Sequence, residues 1–258
     1  MSTHTCLNCN NEFTGQFCNM CGQKEVHRIT MSHLWHDFVH AFTHTDKGFF
    51  YMMGQLFVRP GEVARDYIVE GKRKRYFMPL QYLIILGTIA TIVVVNSHFI
   101  ENTMRSMGDL TGGNSQYSAR QAAFMQKINL LQSKYYNIMI LLQLPFYALS
   151  AYIFYRSKKF NFAELLTLQT FVTGQHTLIS MVLMLLIFIT NSPNYINLVM
   201  MLASLSYQVW VYMQFFKEKT LVGFLKAIGS YLLGMLIFIV SAIILGLIIG
   251  IIIALMSR

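Results

Sequence analysis

The chain has 258 residues, 55% of them hydrophobic and only 12% charged, with a mean hydropathy of +0.46. A soluble domain carries roughly a quarter charged residues, so the composition excludes an ordinary soluble fold and predicts an all-α polytopic membrane protein. The net charge of +9 is not a nucleic-acid footprint, because nine of the 20 Lys/Arg precede residue 79 and six more lie in two short later loops. Clusters of this kind set membrane orientation and surface electrostatics, and no nucleic-acid partner is expected.

The first 27 residues form a polar head that has no secretory leader pattern. It holds all four cysteines, Cys6, Cys9, Cys18 and Cys21, as two CxxC pairs with eight residues between them. Thiolates at this spacing predict a zinc ribbon with one structural zinc per chain, closed because no ligand position is left open. Two disulfides would need an oxidising compartment, and a redox CxxC would need a surrounding βαβ fold. A segment this short cannot bury a core, so the metal would supply its folding free energy. Gly15 and Gly22 suit tight turns beside the pairs.

Residues 28–78 read as amphipathic and interfacial. Apolar Met31, Leu34, Trp35, Phe38, Val39 and Phe42 make one helical stripe. The other face carries His33, His36, Asp37, His40 and His44. It reads as the polar face of an in-plane helix, as a pH-responsive surface, or as a second metal site built from His36, His40, His44 and Asp37. An apolar run from Phe49 to Val58 follows, then Arg59-Pro60-Gly61, where Pro60 suits the first turn of a further helix that Gly71 ends. Lys72, Arg73, Lys74 and Arg75 come next, a juxtamembrane run expected to orient the chain and meet anionic lipid headgroups.

Residues 79–258 predict five membrane spans, at about 79–100, 135–155, 166–190, 196–216 and 227–256, each near the ~20 residues a crossing helix needs. Basic residues before the first span, at Arg156, Lys158 and Lys159, and at Lys217, Lys219 and Lys226 place the N-terminus in the cytoplasm and the C-terminus in the periplasm. The loop 101–134 opposes that orientation with Arg105, Arg120, Lys127 and Lys134. A helix from Ser118 to Lys134 should lead into the second span.

The strings FCNMCGQK and RPGEVARDYIVEGKRKRYFMP, with TDKGFF between them, resemble a bacterial integral-membrane family of unknown function, most densely over residues 6–85. That resemblance implies a bacterial inner-membrane protein and carries no catalytic residues. A weaker likeness, in span number and orientation, is to the five-span Yip-type proteins.

No Asp, Glu, Lys or Arg falls near the centre of a predicted span, which argues against ion- or proton-coupled transport. The third span instead carries a neutral polar stripe, Gln169, Thr173, His176 and Ser180, with Gln175 beside it and Gln208 and Ser204 on the fourth. Such groups either hydrogen-bond helix to helix or line a polar path. Ala242, Gly246, Gly250 and Ala254 on the fifth span would admit a close helix, from this chain or from a second copy. No phosphate loop, GxSxG or HExxH is present, so no enzymatic activity is expected. The sequence therefore reads as a membrane scaffold or adaptor with a ribbon for docking a cytoplasmic protein. The alternative is a solute, lipid or metal transporter working through the third span.

Overall fold

The computed structural model describes residues 3–26, 28–31, 48–110, 119–190 and 192–256. The histidine-faced stretch, with His36, Asp37, His40 and His44, lies outside them. In the head, strands β1 (Thr3–Thr5) and β2 (Glu12–Thr14) pair antiparallel, with His4 opposite Phe13. Phe13 turns inward against Cys6 and Cys18, giving the head a small apolar centre.

Two short helices follow, α1 (Phe49–Val58) and α2 (Pro60–Ile68), hinged at Arg59. Pro60 occupies the first turn of α2, where its missing N–H costs nothing. The loop after α2 turns at Gly71, whose φ of +69° suits glycine. The body then runs through α3 (Pro79–Ser97), α4 (Phe99–Leu110), α5 (Ala119–Lys134), α6 (Tyr136–Phe154), α7 (Phe162–Leu185), the single turn α8 (Ile187–Thr190), α9 (Pro193–Phe215) and α10 (Leu221–Met256). Helix α5 matches the helix expected from Ser118 to Lys134. Helix α4 was not anticipated; it leans on the far end of α9, where Asn197 Nδ2 donates to Thr103 Oγ1 at 3.0 Å.

Four segments among the described residues are long and apolar enough to cross a membrane: Arg73–Ser97, Tyr136–Phe154, Pro193–Phe215 and Leu221–Ile248. The remaining expected span, at 166–190, is not among them. Helix α7 has 24 residues, a rise of about 36 Å at ~1.5 Å per residue. Its polar side chains remove it from the apolar set. Most of them, among them Gln169, Thr173, Gln175 and Ser180, are buried against protein. Helix α7 is the centre of the bundle, packed on α3, α6 and α9.

Two of the packed pairs show antiparallel order directly. On α7 and α9, Gln169 meets Tyr212 and His176 meets Ser204, so rising numbers on one helix match falling numbers on the other. On α6 and α10 the same order appears, with Gly229 against Phe154 and Gly234 against Tyr147. Helix α10 starts six residues before its expected position at 227. Ala242 on it is exposed, and a Cβ on Gly246 would meet nothing within 4 Å, so these two positions make no close packing among the described residues. The close face of α10 is instead Ala227, Ser230 and Gly234. There Ser150 Oγ donates to the Ser230 carbonyl at 2.5 Å.

Candidate metal centre and its seat on the membrane body

The two CxxC segments fold into the same turn. The Cys6 N–H donates to the Asn11 carbonyl and the Asn10 N–H to the Cys6 carbonyl, at 2.9 and 2.8 Å. In the second segment the Cys18 N–H donates to Gln23 and the Gly22 N–H to Cys18, both at 2.8 Å. The fifth residue of each turn, Asn10 or Gly22, has positive φ, of 59° and 71°. Asparagine and glycine tolerate that region best, which accounts for both residue choices. Asn11 Nδ2 ties the turns together by donating to Asn19 Oδ1 at 2.7 Å.

These turns bring the four sulfurs within 4.8 Å of one another. Cys6 Sγ lies 3.5 Å from Cys21 Sγ, and Cys9 Sγ lies 3.6 Å from Cys18 Sγ. A tetrahedral ion with metal–sulfur bonds of ~2.3 Å needs sulfur–sulfur edges of about 3.8 Å. The cluster fits such an ion, and all four expected ligands are in place. The thiols alone are electrostatically frustrated. Backbone N–H groups, of Cys21 first and then Met20, lower Cys18 to about 6. The Asn11 amide also lowers Cys9, but desolvation and the other three sulfurs raise it to about 12. Four thiolates cannot share this volume without a cation, which is what a metal ion supplies.

The head is seated on the membrane body. Gln23, one of its few buried polar residues, donates through Nε2 to the Gly71 carbonyl at 2.9 Å and accepts the Lys74 N–H through Oε1 at 3.0 Å. A Cβ on Gly71 would come within 2.7 Å of Leu7 Cδ1 and 3.0 Å of Val26, so glycine, which its φ of +69° already favours, lets the head sit close without shifting these side chains. Beyond the head, Arg28 grips Glu164 in two bonds of 2.7 and 3.0 Å and donates to the Lys159 carbonyl at 2.9 Å. Glu164 also closes a capping box with Asn161 at the start of α7. Asn161 Nδ2 in turn donates to the Ile29 carbonyl at 3.0 Å.

The basic run divides by partner. Lys72 lies 3.5 Å from Asp66 and 2.6 Å from Glu70, and Arg73 lies over the Tyr67 ring. Asp66 is buried, which raises its pKa, but the Tyr76 hydroxyl donating at 2.6 Å and the Lys72 ammonium outweigh that and hold it below the usual carboxylate range. Lys74 and Arg75 are exposed, and Arg75 Nε donates to Tyr51 at 2.9 Å. Sequence reasoning did not single out Gln23, Arg28, Asp66 or Glu164 as functional, although Gln23 and Asp66 fall within the quoted strings.

Within the bundle the polar stripe of α7 is drawn into contacts with α9. Gln169 Nε2 donates to the Tyr212 hydroxyl, and His176 Nε2 contacts both Ser204 Oγ and Ser180 Oγ, the latter at 3.0 Å. Thr173 is buried, and its carbonyl accepts from Thr177 at 2.8 Å. Gln208 is buried on α9 between Ser204 and Tyr212. Gln175 faces α3 instead, where it accepts from the Tyr82 hydroxyl at 2.6 Å.

Residues 46–91 match the model of a family described as a protein of unknown function (DUF3667). The match starts before α1 and ends inside α3, so it covers the α1–α2 pair, the basic loop and the entry to the first span. No curated protein and no solved structure matches the chain.

Proposed function

We propose that the chain is a non-catalytic scaffold of a bacterial inner membrane, carrying a zinc ribbon that recruits a protein partner on the cytoplasmic side. The observation that carries this reading is the seating of the four-cysteine head through Gln23, Gly71, Arg28 and Glu164. A head held in this way presents a fixed surface, on which Phe17 and Met20 are exposed at 58% and 77%. Zinc suits an all-sulfur tetrahedral set, and thiolates persist where the compartment is reducing. The head would therefore face the cytoplasm, in agreement with the basic loops. Helix α7 would make a fifth crossing, shielded from lipid by α3, α6 and α9, which leaves the C-terminus in the periplasm.

Pairing of Gln169 and His176 with α9 supports helix-to-helix adhesion as the role of the polar stripe. One observation favours the transporter reading: Gln175 Nε2 is buried without a hydrogen-bond partner among the described residues. Reconstituted protein separates the two. The scaffold reading expects a co-purifying partner that is lost on Cys18→Ser while the helices stay folded. If Gln169→Ala and His176→Ala preserve the fold but abolish a solute flux, the transporter reading replaces it.

A further inference from the structure

We propose that the outer face of α1 and the side chains of Lys74 and Arg75 form a seat for one anionic lipid, placed by Gln23 of the head. The argument begins with α1 itself, whose ten residues FFYMMGQLFV include one polar amide and no charge. At 15 Å by the usual rise it is far too short to cross a bilayer. Met52 and Leu56 are fully buried in the main core, which uses one side of the helix.

The opposite side is Phe50, Tyr51, Gly54, Phe57 and Val58, spaced as one helical stripe. All five are exposed, Phe50 at 75% and Val58 at 70%, and a Cβ on Gly54 would meet nothing within 4 Å. An apolar stripe of this kind is stable against acyl chains and unfavourable against water. Its depth agrees. Phe49 packs edge-to-face on Phe77 and at a tilt on Tyr82 at the entry to the first span, and Tyr207 inside α9 donates to the Leu56 carbonyl at 3.1 Å.

Charge completes the seat at one edge. Tyr51 belongs to the stripe, and its hydroxyl and ring hold the Arg75 guanidinium, at 2.9 Å and 5.7 Å respectively. Lys74 is next in the chain and exposed. The other two cations of the run are turned to protein: Lys72 to Asp66 and Glu70, Arg73 to Tyr67. An acyl-binding stripe bordered by two outward cations fits an anionic phospholipid, whose headgroup and chains are covalently joined as these two surfaces are adjacent. The Lys74 backbone hydrogen bond to Gln23 sets where that pair of cations stands. Gln23 is thus a positioning residue, linking the metal-organised head to the membrane surface.

Purified full-length protein in neutral detergent, titrated with phosphatidylglycerol or phosphatidylcholine and read by native mass spectrometry, tests this seat. Metal-loaded wild type should retain phosphatidylglycerol in preference. Each outward charge should contribute about fivefold, so Lys74→Gln/Arg75→Gln should weaken retention about twenty-five-fold. Lys219→Gln, an exposed charge on another loop, should change it less than twofold. Phe57→Ser should weaken both lipids while leaving the charge intact. Gln23→Ala should weaken phosphatidylglycerol retention with the metal content unchanged. Equal retention of the two lipids, or equal loss with Lys219→Gln, overturns the seat. Displacement of the lipid by inorganic phosphate also overturns it, because the charges would then bind a free anion. Unchanged retention in Gln23→Ala overturns the part assigned to the head.

Discussion

Two glycines seven residues apart should respond in opposite directions to the same added methyl. Gly61 lies in the first turn of α2, where a Cβ would stand 2.4 Å from Gln214 Cβ, 2.4 Å from the Val211 carbonyl and 2.7 Å from the Phe215 nitrogen. Ordinary carbon contacts are ~3.5–4.0 Å, so α2 and α9 would have to separate by about 1 Å. Two of the three obstructing atoms are backbone, and no rotamer change relieves them. Overpacking of this kind costs about 1–3 kcal/mol. Separation would also strain the Gly61 N–H bond to Gln214 Oε1, now 2.9 Å, worth about 0.5–1.5 kcal/mol. Gly61→Ala should therefore destabilise by about 2–4 kcal/mol, less a few tenths recovered from helix propensity near the helix start. Gly54 sits mid-helix in α1 with open space around its Cβ position, so Gly54→Ala should stabilise by about 0.5–1 kcal/mol. Thermal unfolding of the detergent-solubilised variants, followed by helical circular dichroism, gives the comparison. A Gly61→Ala protein that melts with or above the wild type would refute the close approach of α2 and α9.

Zinc content should fall from about one per chain to nearly none in Cys18→Ser/Cys21→Ser, with helical signal retained because the bundle core does not use the head; a folded, metal-free wild-type head would contradict this. The Asp66 carboxyl is held below its ordinary pKa, so its contribution is present above about pH 4 and disappears as pH falls through the folded-state value. The melting difference between wild type and Asp66→Asn should thus be widest near neutrality and close under acid, and a pH-independent gap would rule the linkage out. Tyr82→Phe strips Gln175 of its donor inside the core and should cost about 1–3 kcal/mol, part of which Gln175→Leu restores in the double variant. A double-mutant cycle with no coupling would show that the bond is not formed.

The legible parts of this molecule were those with local signals. Cys6, Cys9, Cys18 and Cys21 could be grouped because both turns are built from residues within six positions of each other. Helices α3, α6, α9 and α10 announced themselves by apolar length. Helix α7 was legible as a helix with a polar stripe, but the helices that cover it were not, although Gln169, Gln175 and His176 are tolerated only where others do so. The seating of the head was invisible for a different reason. Gln23 meets Gly71 across 48 positions, and Arg28 meets Glu164 across 136. Nothing in one sequence pairs residues so distant. The small-residue pattern at the far end of α10 did not point to Ala227, Ser230 and Gly234, which make the contact within the chain.

The ionic pairs explain why one end of the bundle carries so much of the specific structure. Asp66, Glu164 and Glu218 have side chains only 12%, 8% and 17% exposed, and each is met by a cation from elsewhere: Lys72, Arg28 and Lys158. Lys158 also donates to the Phe216 carbonyl and Arg65 to the Phe215 carbonyl, placing positive charge at the C-terminus of α9 where the helix dipole favours it. Pairs of this kind add little net stability, because desolvation offsets most of their attraction, but an unanswered buried carboxylate is expensive. For Arg28–Glu164 and Lys158–Glu218 the effect is to penalise wrong meetings between segments that are adjacent only in the folded chain. The positive bias that orients a membrane protein is thus partly consumed in assembling this end. Counting every Lys and Arg as a lipid contact overstates the surface charge. Of the juxtamembrane run, only Lys74 and Arg75 point outward, and they do so next to the apolar stripe of α1.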